Sequence, residues 1–156
     1  NAPDPVAFRG PEQLTNFRFG ESIQLLGVSL PQGLTYLPDA VLPISLFWMT
    51  DQPVGRDYTV AWFLVDVTQT RIVQGLDTQP VWGFAPTSGW SLGVPVIDNR
   101  GLRLPLDLPA GEYQIWLRLY ESGSPENVLP VQGGNPVDEV TAVLSESLFV
   151  EMPVQP

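Results

Sequence analysis

The stretch Leu106–Glu121, LDLPAGEYQIWLRLYE, contains the strongest structural signal in this chain. Successive side chains of a β-strand point to opposite faces, so a strict alternation reveals both faces of a strand. One set of alternate residues is apolar: Tyr113, Ile115, Leu117 and Leu119. The other set has polar tips: Gln114, Trp116, Arg118 and Tyr120. The pattern predicts a strand with one face in a core and the other directed outward.

A turn precedes this strand and indicates how the strand is reached. Pro109 stands at the second position of a four-residue turn and Gly111 at the fourth, as a type I turn favours. A tyrosine just after such a turn is typical of the tyrosine corner of Greek-key sandwiches. We therefore expect the Tyr113 hydroxyl to hydrogen-bond with backbone a few residues upstream.

The rest of the chain is divided into short segments by 14 Gly and 17 Pro. Strand signals about 8–12 residues apart are typical of an all-β sandwich or barrel, and no window has a sustained helical period. The strand candidates are 14–19, 22–30, 43–50, 57–66, 71–74, 95–104, 112–121, 128–131 and 144–152. The predicted fold is an immunoglobulin-like antiparallel β-sandwich of about seven to nine strands. A long Gly/Pro/Trp loop over Gly75–Val94 is expected to interrupt it.

Residues 14–152 are predicted to form a single domain. Residues 1–13 are assigned to an N-terminal extension, in which Asn1 and Ala2 are consistent with the remnant of a cleaved tag. Residues 153–156 are assigned to a C-terminal tail. No apolar run approaches the roughly 20 residues that a membrane-spanning helix needs, so no direct membrane insertion is expected.

Composition excludes several function classes. The net charge is −10, with seven Arg and no Lys, His or Cys. Nucleic-acid binding needs a basic stripe, which the scattered Arg residues do not form. Without His and Cys, the commonest general base, the thiolate nucleophile and the commonest metal ligands are missing. We therefore expect no catalytic residue, no metal site and no cofactor. A glycosidase that uses two carboxylates is the enzyme class still compatible with the composition.

Four segments resemble one known family: Phe19–Pro31 (FGESIQLLGVSLP), Leu42–Asp66 (LPISLFWMTDQPVGRDYTVAWFLVD), Pro86–Trp90 (PTSGW) and Leu104–Val131 (LPLDLPAGEYQIWLRLYESGSPENVLPV). In this order they resemble the β-sandwich region at the C-terminus of large bacterial membrane proteins. Many of those proteins are similar to dolichyl-phosphate-mannose-dependent mannosyltransferases. The resemblance implies an extracytoplasmic location and a tether to a membrane domain of the parent protein. It implies no activity for this region and supplies no catalytic or binding residues.

The aromatic residues are the first candidates for a binding site. Trp116 and Tyr120 share the predicted outward face with Gln114 and Arg118, and together they could form a platform for a sugar ring. The alternative is that a loop covers this face. Two further binding candidates, Trp82 and Trp90, lie in the long loop, where aromatic residues more often hold the loop against the domain. Trp48 and Trp62 fall on predicted core faces and are assigned to packing, as is Tyr113.

The acidic residues are candidate metal ligands, because Ca²⁺ prefers six to eight oxygen ligands. The aspartates near strand ends and turns are Asp51, Asp57, Asp66, Asp77 and Asp98. They form no D-x-D-x-D run, and turn chemistry explains most of them. Asp98 and Arg100 are expected to form an ion pair on the solvent side of their strand.

Three functions remain from the sequence. The leading one is a non-catalytic extracytoplasmic accessory domain, a spacer or a recognition module, of a glycosyltransferase-like membrane protein. The second is a carbohydrate-binding module that uses exposed aromatic residues, with a glycan as partner. The third is a carboxylate-based glycosidase. The exposure of the four candidate aromatic residues separates the first two.

Overall fold

The computed structural model describes residues 13–29, 35–83, 85–133, 138–144 and 147–151, without the side chains of Gln13 and Trp82. Residues 1–12 of the predicted N-terminal extension and the predicted tail 153–156 lie outside the described residues.

Within that part of the chain, twelve strands form a five-stranded and a seven-stranded sheet. The first sheet has the order β10-β1-β2-β4-β7. Its strands are β1 (Gln13–Phe19), β2 (Ile23–Ser29), β4 (Val41–Thr50), β7 (Val96–Arg103) and β10 (Val131–Gln132). The two sheets bury a common apolar core, which confirms the predicted all-β sandwich.

The second sheet has the order β3-β12-β8-β5-β6. Its strands are β3 (Thr35–Tyr36), β5 (Tyr58–Asp66), β6 (Arg71–Thr78), β8 (Gly111–Glu121) and β12 (Leu148–Val150). The remaining strands, β9 (Ser124–Val128) and β11 (Ala142–Val143), also pair with β8. Described strand pairs are antiparallel except β3 with β12, which is parallel.

Twelve strands exceed the seven to nine that the sequence predicts, because several are very short. Strands β3, β10 and β11 have two residues each and β12 has three, too few for an alternating pattern to be recognised. Strand β9 lies almost entirely between the strand candidates 112–121 and 128–131, because it folds back on the end of β8 as a hairpin.

The long strand β8 has the predicted faces, and the corner before it has the predicted hydrogen bond. Its apolar residues Tyr113, Ile115, Leu117 and Leu119 are all buried. The Tyr113 hydroxyl donates to the Pro109 carbonyl at 2.6 Å, which ties the start of β8 to the preceding turn. Trp48 and Trp62 are fully buried in the core, in agreement with the packing role assigned to them.

The predicted long loop begins later than expected. Strand β6 continues to Thr78, because Gly75–Thr78 pairs with β5 at Val60–Phe63. The remaining connection to β7 contains two 3₁₀ turns, Pro80–Gly83 and Thr87–Gly89. It is held to β5 by Thr87, whose hydroxyl accepts from the Tyr58 amide at 3.0 Å.

Asp98 and Arg100 do not face solvent, and this prediction was wrong. Asp98 and Arg100 are paired with Leu46 and Ile44 of the neighbouring strand β4, and both of these are core residues. The register of β7 therefore turns the Asp98 and Arg100 side chains inward. The carboxylate of Asp98 accepts from Arg100 at 2.8 Å, with side chains 0% and 2% exposed. The guanidinium lies 5.1 Å from the centre of the Trp62 ring.

No helix among the described residues is long and apolar enough to cross a membrane.

Tyr113→Phe tests the corner. Removing the hydroxyl should lower the free energy of unfolding by about 1 kcal/mol at neutral pH, because one buried hydrogen bond is lost. Burial, and then the nearby Asp66 carboxylate, raise the pKa of Tyr113 above its ordinary value. Because the pKa of the Tyr113 phenol is higher in the folded than in the unfolded state, the neutral phenol contributes to stability below its unfolded pKa. This contribution is lost as the pH rises past 10.

Urea denaturation of the wild type and of Tyr113→Phe, at pH 7 and above pH 10, measures the difference in their free energies of unfolding. The difference in free energy of unfolding between the wild type and Tyr113→Phe should become smaller at alkaline pH. Equal stabilities at neutral pH would contradict the corner's role.

Asp98→Leu tests the buried pair. It leaves the interior guanidinium without its carboxylate partner, and the cost should be about 3–5 kcal/mol in the free energy of unfolding. The double variant Asp98→Leu/Arg100→Met removes both charges and should be less destabilised than the single variant. Urea denaturation measures both, and a double variant at least as unstable as the single one would refute this account of the pair.

Candidate functional site

The outward face of the second sheet carries a row of four positions across four strands. Val143 of β11 pairs with Trp116 of β8, which pairs with Phe63 of β5, which pairs with Gly75 of β6. The first three side chains are half-buried, and Gly75 is exposed. Paired residues lie side by side on one face of a sheet, so the row is an apolar stripe that ends at an open position.

Gln114 fixes the orientation of the tryptophan in this stripe. The Trp116 indole Nε1 donates to Gln114 Oε1 at 3.1 Å. The amide nitrogen of Gln114 donates to none of the residues that the structure describes. One side chain therefore holds the ring and presents hydrogen-bond donors beside it.

Arg118 borders the stripe on the other side and is held in three ways. Its Nε donates to the Thr141 hydroxyl at 2.7 Å, and its Cζ lies 5.4 Å from the centre of the Phe63 ring. Its Nη2 lies 3.8 Å from Asp138 Oδ2. The Val140 amide, followed by Thr141 and Arg118, lowers the pKa of Asp138 below its ordinary value. The ionised carboxylate therefore stays opposite the guanidinium.

Tyr120 continues the same face and is tied to the edge strand. Its hydroxyl donates to Asp77 Oδ2 on β6 at 2.7 Å. Burial, and then the hydrogen bond with Asp77, raise the pKa of Tyr120 above its ordinary value. The phenol therefore stays neutral, and its ring is fixed across β5.

The structure places Trp90 inside the domain, which removes it from the binding candidates. Its ring lies 6.2 Å from that of Trp48, and its Nε1 donates to the Ala85 carbonyl at 2.9 Å. Trp90 is only 9% exposed, so it holds the loop against the core. The Trp82 side chain lies outside the described atoms. Trp116 and Tyr120 thus remain as candidates on the outward face.

The five candidate aspartates are each bonded to a different partner. Asp51 pairs with Arg18 at 3.1 Å, and this contact lowers the pKa of its carboxyl. The Asp57 carboxylate accepts from the Ser88 amide, and that of Asp66 accepts from the Gln69 amide in a turn. The other two bond with Tyr120 and Arg100, as above: Asp77 and Asp98. Among the described residues, no three His, Cys, Asp or Glu residues gather as metal ligands.

The sequence analysis missed three residues of the stripe, Val143, Phe63 and Gly75. Val143 lies just before the strand candidate 144–152. Phe63 belongs to a strand whose two faces are both fairly apolar, so alternation does not single it out. Gly75 was assigned to the long loop. Both join Trp116 only through the registers of β5 with β8 and of β6 with β5, which are non-local.

Comparisons with known proteins give little further information. No protein-family profile and no curated protein sequence matches the chain. Among solved structures, it is similar to the C-terminal domain of Wzt, with 12% sequence identity and a TM-score of 0.46. That match covers 94% of this chain and 84% of the Wzt domain. A similarity this low supports no conclusion about function.

Proposed function

We propose that this chain is a non-catalytic accessory domain that binds a carbohydrate on the outward face of its second sheet. The observation that carries the proposal is the apolar stripe of Val143, Trp116 and Phe63, open at Gly75 and bordered by polar groups of Gln114 and Arg118.

A sugar ring has apolar C–H faces and a rim of hydroxyl groups, and this surface offers the matching chemistry. The rings of Trp116 and Phe63 supply apolar area, and the amide of Gln114 and the guanidinium of Arg118 supply donors beside it. Binding sites for small polar molecules generally combine aromatic lining with a few well-placed polar groups. The stripe also spans several strands, which suits an extended ligand.

The side chains of this face are already held in place before any ligand arrives. Arg118 is bonded to Thr141 and lies over Phe63, Trp116 is bonded to Gln114, and Tyr120 is bonded to Asp77. Binding would therefore immobilise few additional rotamers, which lowers its entropic cost. These contacts also favour a role in recognition over a role in catalysis, because the polar groups are already engaged in orienting one another.

The wider setting is also a proposal, supported by the family resemblance. The domain would lie on the extracytoplasmic side of a membrane, tethered to the membrane domain of a glycosyltransferase-like parent. Binding a glycan at that position would hold a substrate or product near the transferase portion. The net charge of −10 favours an uncharged or cationic partner over a nucleic acid or an anionic membrane surface.

Two variants test the binding face. Trp116→Ala removes the central ring, and Gly75→Leu fills the open end, where a Cβ would meet only Trp62 O at 3.7 Å and Phe63 Cδ1 at 3.9 Å. Each should weaken binding at least about tenfold. A glycan array identifies the ligand, and isothermal titration calorimetry measures its affinity for each variant.

Gly89→Leu is the matched control, because it adds the same side chain on the β6–β7 connection, where the part of the chain that the structure describes has no atom within 4 Å of the new Cβ. It should bind as the wild type does. The proposal fails if the array shows no glycan binding, or if both face variants bind a glycan with unchanged affinity.

The extracytoplasmic location can be tested by labelling, because the chain has no Cys. Gly89→Cys introduces an exposed thiol into this domain of the full-length protein, expressed in its native host. A membrane-impermeant maleimide should label the domain in intact cells, or in spheroplasts if an outer membrane is present. Labelling only after lysis would place the domain in the cytoplasm and overturn this part of the proposal.

A further inference from the structure

A hollow lies at one end of the sandwich, where the space between the two sheets opens. It consists of two adjoining parts of about 370 and 470 Å³, which share the lining residues Arg56, Tyr58 and Leu129. We call it the mouth cleft. Ligand pockets are typically about 300–1,000 Å³, so each part has the size of a small ligand.

The walls of the mouth cleft are connected by backbone hydrogen bonds. The β1–β2 turn joins the segment before β10 through the Gly20 amide and the Pro130 carbonyl, at 2.8 Å. The β4–β5 loop joins the β8–β9 turn through the Ser122 amide and the Asp57 carbonyl, at 2.9 Å. The cleft is thus built by segments of both sheets that are fixed to one another.

One wall is polar and centres on Glu121. Its Oε1 accepts from Arg56 Nη1 and its Oε2 accepts from Asn127 Nδ2, both at 3.0 Å. The carboxylate thus aligns a guanidinium and an amide side by side, and both still have further N–H donors. Carboxylate, guanidinium and amide together can accept from and donate to neighbouring hydroxyl groups.

The rest of the lining is largely apolar, with one polar tip. Leu129 lies close to Gly20, where a Cβ would be 3.3 Å from Leu129 Cδ2. Tyr58 is half-buried and packs against the core. Its hydroxyl has no hydrogen-bond partner among the described residues. An aromatic ring, an aliphatic side chain and a phenol tip thus line the same cleft as the polar group around Glu121.

The charges of the mouth cleft select against an anion. Arg56 is paired with Glu121, so its charge is largely compensated. Two further lining residues are acidic, Glu21 and Glu126, and Arg56 is the one basic residue among the described residues of the lining. An uncharged ligand with hydroxyl groups and an apolar face fits this lining best.

We propose that the mouth cleft is a second binding site, which takes one unit of an uncharged saccharide. It is separate from the outward-face site, because Tyr58 and Glu121 pair at the end of the β5–β8 ladder, beyond Thr59 and Tyr120. Tyr58 packs toward the core, whereas Trp116 faces outward. Either site can exist without the other.

Gly55→Leu is the variant that blocks this cleft. Gly55 lines it, is exposed, and has no atom of the described residues within 4 Å of a built Cβ, so the variant should fold. The probes are the neutral disaccharides maltose, cellobiose, lactose and mannobiose, with glucuronate as the anionic comparison. NMR shifts of the Gly20 and Gly55 amides and of the Asn127 side-chain amide report on the cleft.

At least one disaccharide, added up to about 10 mM, should shift these signals, and glucuronate should not. Gly55→Leu should weaken this response at least about tenfold, and Tyr58→Phe should weaken it by a smaller factor. In Gly55→Leu the shifts are followed at Gly20 and Asn127. Gly89→Leu should leave the response unchanged.

The proposal is overturned if none of the disaccharides shifts the cleft signals, if the response survives Gly55→Leu, or if glucuronate binds better. Failure here is distinguishable from failure of the outward-face site. Ligand binding to that site should change Trp116 fluorescence and should be weakened at least about tenfold by Gly75→Leu. No Trp is among the described residues that line the mouth cleft.

Discussion

The antiparallel ladder between β5 and β8 positions side chains on three surfaces at once. It runs from Tyr58 opposite Glu121 to Asp66 opposite Tyr113. Its inward residues form the centre of the core, and its outward residues bring Phe63 beside Trp116. Its end brings Tyr58 beside Glu121 at the mouth cleft. A slip of one residue would exchange inward and outward faces, so the buried tryptophan Trp62 and its core neighbours enforce the register.

The buried ion pair is the second constraint, and it acts on the β6–β7 connection. Arg100 donates to Asp98, and its Nη2 also donates to the Gln79 carbonyl at 3.0 Å, just after β6 ends. A buried pair is weak evidence for stability, because desolvation offsets much of the Coulomb attraction. Its effect here is geometric: it fixes where the chain leaves one sheet before it crosses to the other. Trp90 and Thr87 then hold the rest of that connection.

The outward face and the mouth cleft have a similar composition, although they lie at different places along the same two strands. In each, a charged side chain is neutralised or oriented by neighbours, and aromatic or aliphatic groups lie beside it. Arg118 lies over Phe63 and near Asp138, and Arg56 is paired with Glu121. Groups that are paired in this way can present donors and acceptors without a strong net charge. Such surfaces suit recognition of neutral, hydroxyl-rich molecules.

The amino-acid sequence alone determined the features that depend on neighbours along the chain. The spacing of Gly and Pro predicted an all-β sandwich, alternation predicted both faces of β8, and Pro109 with Gly111 predicted the corner at Tyr113. Local order also indicated that Trp116 and Tyr120 face outward. These features were predictable because strand alternation and turn geometry are set within a few residues.

Only the tertiary structure decided the features that depend on pairing between distant segments. The register of β4 with β7 turned Asp98 and Arg100 inward, and packing against Trp48 buried Trp90. The same kind of pairing extended β6 into the predicted loop and joined Gly75 to Phe63. Neither the apolar stripe nor the mouth cleft was visible in the sequence. Alternation gives a strand two faces, but the register and the opposing sheet decide which face is buried and what lies beside it.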